Sequence, residues 1–144
     1  EAYRQKFSAI FAAFYLFDRL LALFSPQHIE QANAYLMALQ LDHKVHIQAG
    51  QLSDIDLSQG QRKRLALLTA YLEDRPVYLF DEWAADQDPH FKAVFYTQIL
   101  PELKRRKKLI LAITHDDKYF HLADRILKLE NGQVAEKSIA QAIP

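Results

Sequence analysis

Three short and nearly uninterrupted apolar runs constrain the fold of this chain more than any other feature. They are FSAIF at residues 7–11, VYLF at residues 77–80 and LILAI at residues 109–113. Apolar runs of this length without alternation are typical of strands covered on both faces, as in a parallel sheet between helices. We therefore predict that the three runs form buried strands of one largely parallel sheet.

Helical patterns separate the three runs. Ser-Pro at residues 25–26 predicts the capped start of a first helix, and leucines at residues 65, 68 and 72 form the apolar stripe of a second. Asp-Pro at residues 88–89 predicts the start of a third helix, which runs toward Arg106 and is expected to bend at Pro101. This alternation predicts an α/β domain with a mostly parallel sheet flanked by helices.

The pattern changes after residue 125. Apolar residues at 126–129, an Asn-Gly pair at 131–132 and a short run at 133–134 predict a strand, a tight turn and a return strand.

The composition limits the classes of protein to which the chain can belong. Half of the 144 residues are hydrophobic, which is enough for one ordinary core. Eighteen basic residues balance 18 acidic ones, so no global charge directs the chain toward nucleic acid or an anionic membrane. Cysteine is absent, which excludes disulfides and thiolate metal sites, and without a signal-peptide pattern a cytosolic location is the default. The apolar run at residues 7–17 is shorter than the about 20 residues of a spanning helix, and we expect it to be buried in protein.

Polar residues follow two of the predicted strands at their carboxyl ends, where ligands collect in parallel sheets. VYLF runs into Asp81 and Glu82, and LILAI runs into Thr114, His115 and Asp116. The acidic pair suits a magnesium-phosphate site in which Asp81 takes the metal and Glu82 orients an attacking water. Each motif also has an ordinary interpretation, since an acidic pair can begin a solvated loop and a loop histidine needs no ligand. A metal cluster of His-Asp-Asp at residues 115–117 has only weak support.

The stretch LSQGQRKRLALL, residues 57–68, sets a glycine turn before a leucine-rich helix. The unpaired N–H groups of a helix start make Ser58, Gly60 and Gln61 a plausible phosphate cradle, and the same groups suit a simple helix cap. The glycines of the chain are Gly50, Gly60 and Gly132, and none has the spacing of a phosphate loop of the form G-x-x-x-x-G-K-[ST]. We infer that the helix start faces a phosphate that this chain does not itself hold.

Taken in order, these motifs resemble those of a known family. LSQGQ, VYLFDE, AADQD and ITHD follow the order of the signature motif, Walker B motif, D-loop and H-loop of ABC-type ATPases. More narrowly, YRQKFSAIFAAFYLFDRLL, DEWAADQDPHFK and THDDKYFHLADRILKLENGQ resemble the bacterial cyclic-peptide exporters, which include pyoverdine, syringomycin and microcin exporters. The resemblance implies a P-loop-type ABC ATPase core that lacks the Walker A strand and the N-terminal antiparallel subdomain.

The resemblance also implies cofactors and roles for single residues. The cofactors are ATP and Mg²⁺, with Asp81 supporting the metal and Glu82 polarising the hydrolytic water. His115 would contact the γ-phosphate. Asp88, which closes the D-loop, would communicate across a dimer.

The signature residues would act on a second copy of the site. The resemblance implies that Ser58, Gly60 and Gln61 clamp the γ-phosphate of ATP bound to the opposite subunit. Two positions depart from the family pattern: Ala12 stands where most members carry the Q-loop glutamine, and Gln59 replaces the first glycine of LSGGQ. The first departure puts a magnesium contact from that loop in doubt.

The same resemblance predicts how the chain is organised. Residues 1–144 would be part of an ABC ATPase domain, with a helical signature subdomain at about 18–73, core sheet at 1–17 and 74–136, and a tail at 137–144. The Walker A loop and the membrane helices would lie upstream of Glu1. Residues 14–17 would line the groove for a cytoplasmic helix of the membrane domain, or pack in the core.

The implied function is that of an export motor. The partners would be a second nucleotide-binding domain in a homodimer and the transmembrane domain of the same full-length protein, at the cytoplasmic face of the bacterial inner membrane. Its work would be ATP hydrolysis that powers export of a peptide-type or siderophore-type substrate. Without Walker A we expect the soluble isolated chain to be inactive, and because its sheet would lack an internal strand we expect it to self-associate.

Two alternatives remain open from the sequence. Soluble ABC ATPases of DNA repair and chromosome maintenance share the motif order, but their DNA contacts need a basic surface. The dense basic cluster KRRKK at residues 104–108 more simply ends a helix, so no nucleic-acid partner is expected. The other alternative is a non-catalytic dimerisation module.

Overall fold

The chain alternates strands and helices, as the sequence predicts. A computed structural model describes residues 2–10, 25–48, 51–53 and 56–139. The helices are α1 (Pro26–Ala38), α2 (Gln59–Glu73), α3 (Pro89–Val94) and α4 (Leu100–Arg105). The strands are β1 (Phe7–Ile10), β2 (Ile47–Gln48), β3 (Gln51–Leu52), β4 (Val77–Asp81), β5 (Leu109–Ile113), β6 (Arg125–Glu130) and β7 (Gln133–Ile139). The predictions for Ala12, for residues 14–17 and for the end of the tail fall outside the described residues.

A parallel sheet of three strands carries the motifs. Its order is β1-β4-β5, with Phe7 opposite Val77 and Val77 opposite Leu109. The strands are the three apolar runs of the sequence, and their parallel pairing is confirmed. Because all three point the same way, Asp81 at the end of β4 lies beside Ile113 at the end of β5. The polar residues that follow β4 and β5 therefore emerge at one edge of the sheet.

The prediction of burial on both faces is wrong for β5. Three of its side chains are largely exposed: Leu109 at 58%, Leu111 at 47% and Ile113 at 52%. Among the described residues, β4 is the one strand that pairs with β5, and Ile110 is the β5 side chain that packs against the core, on the face opposite these three. Strands β6 and β7 pair with each other instead, in an antiparallel hairpin.

Helix caps form where the sequence predicts them. The hydroxyl of Ser25 accepts the N–H of His28 at the start of α1, and Asp88 accepts the N–H of Phe91 at the start of α3. The predicted third helix is less regular than expected, because a π-helical turn at Phe95–Ile99 separates α3 from α4. Pro101 follows this turn and lacks the N–H that an α-helix requires, which accounts for a change of hydrogen bonding here.

The core lies between the sheet and the helices. Leu65, Leu67 and Leu68 of α2 are fully buried. An aromatic cluster covers the end of β4, where the rings of Trp83 and Phe95 stack at 4.4 Å. This cluster anchors the segment that leaves β4. Within the described ranges, no helix is both long and apolar enough to cross a membrane.

The predicted hairpin after residue 125 is confirmed. Asn131 and Gly132 both have positive φ, 51° and 74°, as the tight turns of two-residue hairpin loops require. The return strand β7 extends to Ile139, further than the apolar pattern predicts.

Candidate functional site

The acidic and histidine motifs meet at the carboxyl edge of the sheet. His115 Nε2 lies 3.1 Å from Glu82 Oε1, although 33 positions separate the two residues. Both side chains remain accessible, at 89% and 47% exposure. Asp81 precedes this pair on β4. The structure therefore brings Glu82 and His115 together, and Asp81 precedes Glu82 at the end of β4 opposite Ile113 of β5.

Glu82 adopts an unusual backbone conformation. Its φ of 47° and ψ of 35° place it in the left-handed region, which is uncommon for a residue with a Cβ and is kept where surrounding contacts fix it. Its N–H donates to the carbonyl of Ile113 at 3.0 Å, and its carbonyl accepts from Lys63 Nζ at 3.0 Å. Both peptide groups of Glu82 are thus held by neighbouring elements.

The loop that carries His115 is fixed through Asp116. The Asp116 carboxylate accepts from Lys92 Nζ at 3.0 Å and from the hydroxyl of Tyr96 at 3.1 Å, and its N–H donates to Thr114 Oγ1. Burial acts to raise the pKa of Asp116, but the hydrogen bonds from Lys92 and Tyr96 outweigh it, so that the pKa lies below its ordinary value. Burial raises the pKa of Tyr96 to about 12. Asp116 is therefore a charged structural anchor.

The proposed metal cluster at residues 115–117 finds no support in the described part of the chain. No group of three or more histidine and carboxylate side chains is placed there to hold a metal ion. A magnesium site of the kind found with phosphates needs only one or two carboxylates, since phosphate and water oxygens fill the remaining positions. Asp81, half-buried at the strand end, fits that donor set.

The LSQGQ turn forms a complete capping box at the start of α2. The hydroxyl of Ser58 accepts the N–H of Gln61 at 3.3 Å, and Gln61 Oε1 accepts the N–H of Ser58 at 3.0 Å. The capping interpretation is confirmed for Ser58, and the reciprocal bond from Gln61 adds to it. In this cap the Ser58 hydroxyl acts as an acceptor. Because a hydroxyl can accept and donate together, its proton can still be donated to an anion.

Gly60 lies against the AADQD loop, residues 84–88. A Cβ at this position would lie 2.7 Å from the carbonyl oxygen of Asp86, a distance that real Cβ contacts do not reach. The Gly60 carbonyl also accepts from Gln87 Nε2 at 3.0 Å. Close approach of two backbones thus requires glycine here, whether or not a phosphate binds.

Arg64 joins α2 to the end of the same loop. It donates to Gln87 Oε1 at 2.9 Å and to Asp88 Oδ2 at 2.8 Å, and it stacks over the ring of Phe91 at 3.6 Å. Burial lowers the pKa of the Arg64 guanidinium, while Asp88 acts to raise it. Asp88 is consequently both a helix cap and an ion-pair partner.

An open depression of about 380 Å³ lies over this junction. Its lining residues come from the loop after α1, the start of α2 and the AADQD loop: Gln40, His43, Ser58, Gly60, Gln61, Arg64, Asp86 and Asp88. The lining does not include Asp81, Glu82 or His115. The predicted residues therefore form two groups, one at the sheet edge and one in the depression.

Sequence reasoning missed the residues that connect the two groups. Lys63 is fully buried and pairs with Asp86 at 2.6 Å. The burial of Lys63 could have been predicted from the sequence, because position 63 is one helical turn before Leu67 on the buried face of α2. A lysine on such a face needs an acidic partner.

The basic cluster at residues 104–108 is largely neutralised. Four of its five cations form ion pairs: Lys104 with Asp124, Arg105 with Glu102, and Arg106 and Lys108 with Asp74. Carboxylates that already occupy these cations compete with a phosphate backbone, so the cluster does not favour nucleic-acid binding.

Comparisons with known proteins identify the family. A family model described as ABC transporter matches residues 1–85. The chain is 58% identical over 133 residues to the ATP-binding protein SyrD of Pseudomonas syringae pv. syringae. This alignment covers 90% of the chain and 24% of SyrD. It is 35% identical over 85 residues to the thiamine import ATP-binding protein ThiQ of Histophilus somni (strain 129Pt), which covers 58% of the chain and 40% of ThiQ.

A solved structure has the same fold. It is the dimeric structure of a post-hydrolysis state of the ATP-binding cassette MJ0796 bound to ADP and Pi, with a TM-score of 0.76 at 20% identity over 98% of this chain and 66% of that one. The chain spans about a quarter of the length of SyrD and less than half of that of ThiQ. Since the family model matches 85 of the 144 residues, this chain belongs to the ABC transporter family.

Proposed function

We propose that the chain is the C-terminal part of the ATP-hydrolysing domain of an ABC exporter, and that it powers export of a peptide-type or siderophore-type substrate. The observation that carries the hydrolytic part is the 3.1 Å contact between Glu82 and His115 at the carboxyl ends of adjoining parallel strands. The export part is supported by the resemblance to cyclic-peptide exporters and by 58% identity to the ATP-binding protein SyrD.

Each group at the sheet edge has a distinct role in this proposal. Asp81 would hold Mg²⁺, which would neutralise charge on the phosphates. Glu82 accepts a hydrogen bond from the attacking water and then its proton, while the water oxygen bonds to the γ-phosphorus and the bond from that phosphorus to the bridging oxygen of ADP breaks. His115 donates to the γ-phosphate, and its contact with Glu82 keeps both side chains at the same reacting centre.

The depression completes a second site in the proposal. Ser58, Gly60 and Gln61 bind the γ-phosphate of ATP held by an opposite nucleotide-binding domain, and Asp88 links the two sites. The composition of the depression supports this division, because its lining includes the signature residues and Asp88 but neither Glu82 nor His115. The partners are thus a second copy of the domain and a transmembrane domain, at the cytoplasmic face of the inner membrane.

Replacing the water-orienting carboxylate tests the proposal. In the complete protein, Glu82→Gln should lower the rate of ATP hydrolysis by about 100-fold or more, because the amide cannot accept a proton. ATP-dependent dimerisation should persist, since the amide keeps the size of the side chain. Phosphate release and sedimentation with ATP measure the two properties.

Glu102→Gln is the matched control. Glu102 is an exposed carboxylate of α4 that pairs with Arg105, and its replacement should leave hydrolysis unchanged. Normal hydrolysis in Glu82→Gln would overturn the assignment of Glu82.

A further inference from the structure

Lys63 is a buried cation at the junction of three motifs. Its side chain is 1% exposed, and its ammonium contacts the carbonyl oxygen of Glu82 at 3.0 Å and Asp86 Oδ2 at 2.6 Å. Lysine is almost never this buried without a partner. One of these partners is the main chain of the residue that the proposed function makes catalytic.

Lys63 fixes the segment after β4 in two ways. Its ammonium donates to the carbonyl of Glu82, while its own carbonyl accepts the indole N–H of Trp83 at 3.0 Å. Trp83 is itself buried in the aromatic cluster. Residues 82 and 83 are therefore attached to α2 by one lysine.

The conformation of Glu82 makes this attachment important. A left-handed residue with a Cβ relaxes unless neighbouring contacts hold it, and the contacts on its carbonyl are Lys63 Nζ and the N–H of Ala85 at 3.2 Å. Rotation of the peptide after Glu82 would redirect the carboxylate, which now lies 3.1 Å from His115.

The other partner of Lys63 belongs to the depression. The Asp86 carboxylate lines it and also accepts from Gln59 Nε2 at 3.3 Å, while the Asp86 carbonyl is the atom that Gly60 approaches. A shift at the start of α2 would thus displace Asp86 and, with it, the ammonium of Lys63.

We propose that Lys63 is a positioning residue that holds the Glu82 carboxylate beside His115 and couples this placement to the LSQGQ turn and the AADQD loop. The Lys63 side chain is buried and its ammonium contacts Glu82 and Asp86, so we expect it to act through these two residues and not on the nucleotide directly. The inference rests on the proposed function for the role of Glu82.

A purely structural role makes a different prediction. Replacing a buried ion pair by an apolar side chain of similar length is often neutral for stability, and Asp86, at 37% exposure, can be hydrated when the pair is lost. If Lys63 is merely structural, its replacement should therefore lower the melting temperature or have no measurable effect. A positioning lysine lowers kcat selectively.

The experiment measures ATP hydrolysis by the complete protein carrying Lys63→Met. Because small misplacements of a reacting group cost up to about 100-fold, we expect kcat to fall by about tenfold or more, with KM for ATP changed by less than about threefold. Lys63→Arg, which keeps the charge and donors, should recover part of the rate. Lys104→Met, the same substitution at an exposed lysine, should have no effect on the rate.

A double-variant comparison separates action through Glu82 from independent damage. Once Glu82→Gln has removed the carboxylate, adding Lys63→Met should lower the residual rate by less than about twofold, because coupled residues are not additive. An equal loss in both backgrounds, or an unchanged kcat in Lys63→Met while Glu82→Gln is inactive, would overturn this inference alone. Normal hydrolysis in Glu82→Gln would overturn the proposed function as well.

If Lys63→Met does not fold, the same kinetics are measured on Lys63→Met combined with Asp86→Asn. That double variant removes both charges and leaves neither one buried without its partner. A rate near that of the unmodified protein would overturn the inference in this form too.

Discussion

At the scale of the residue, Gly60 has two requirements placed on it. The sequence predicts a phosphate cradle, and the structure adds a 2.7 Å clash between any Cβ and the carbonyl oxygen of Asp86. Since that oxygen belongs to the main chain, relief requires movement of the AADQD loop. We predict that Gly60→Ala destabilises the complete domain by about 1–3 kcal/mol, less the small gain from a better helix former.

The same shift should reduce catalysis, because the loop also carries the carboxylate that holds Lys63. Hydrolysis by Gly60→Ala is expected to fall by about tenfold or more. The control is Gly132→Ala, where no atom lies within 4 Å of the added Cβ but φ is 74°. That change should cost about 1 kcal/mol of stability and leave hydrolysis unchanged. Equal rates in both glycine variants would show that the contact with Asp86 is unimportant.

Among the helices, α3 depends on Asp88, whose side chain is its N-cap. The pKa of Asp88 lies below its ordinary value, first because the N–H of Phe91 donates to it, and also because Arg64 lies beside it. A carboxyl whose folded pKa is lowered stabilises the fold above its unfolded pKa of about 3.9, and this contribution disappears as the pH falls through the folded value.

We therefore predict a pH-dependent cost for Asp88→Ala. Loss of the cap should lower the free energy of unfolding by about 1 kcal/mol at pH 7 and pH 5. The difference in this free energy from the unmodified protein should shrink below about pH 4, where the carboxyl begins to protonate. Asp88→Asn keeps the capping oxygen and should cost less. Urea unfolding of the complete nucleotide-binding domain across this range measures the differences; the same cost at pH 7 and pH 3.5 would contradict the role of the charge.

The elements also indicate what local sequence can predict. The three parallel strands, the caps at Ser25, Ser58 and Asp88, and the hairpin turn follow from short-range chemistry, and each forms where it is predicted. The π-helical turn at Phe95–Ile99 does not follow from periodicity, because Pro101 predicts a break in the helix but not which backbone hydrogen bonds form before it. Exposure of β5 could not be predicted either, since an apolar run does not specify what covers it.

At the scale of the whole molecule, the site depends on contacts between distant segments. The sequence predicts Glu82 and His115 at two strand ends, and parallel pairing of β4 and β5 brings them together. The pairs of Lys63 with Asp86 and of Arg64 with Gln87 span 23 positions each along the chain. These pairs are fixed by how α2 crosses the AADQD loop, which no local pattern encodes.

The exposed face of β5 has a consequence for the 144-residue chain by itself. Leu109, Leu111 and Ile113 line one face of a strand that pairs on one side among the described residues, and open apolar edges invite pairing with another chain. We predict self-association, seen as a sedimentation coefficient that rises with protein concentration. Leu111→Lys should raise the dissociation constant by about tenfold or more, because burying one leucine contributes about 1.5–3 kcal/mol and a charge on the strand opposes pairing.

Met37→Lys separates this effect from a general gain in solubility. Met37 is 66% exposed and belongs to α1 and not to the strand β5, so the same added charge should leave association unchanged if β5 is the contact. Equal weakening by the two lysines would assign the effect to net charge. A concentration-independent monomer of the unmodified chain would contradict the prediction itself, because the apolar face of β5 would then be tolerated in water without a partner.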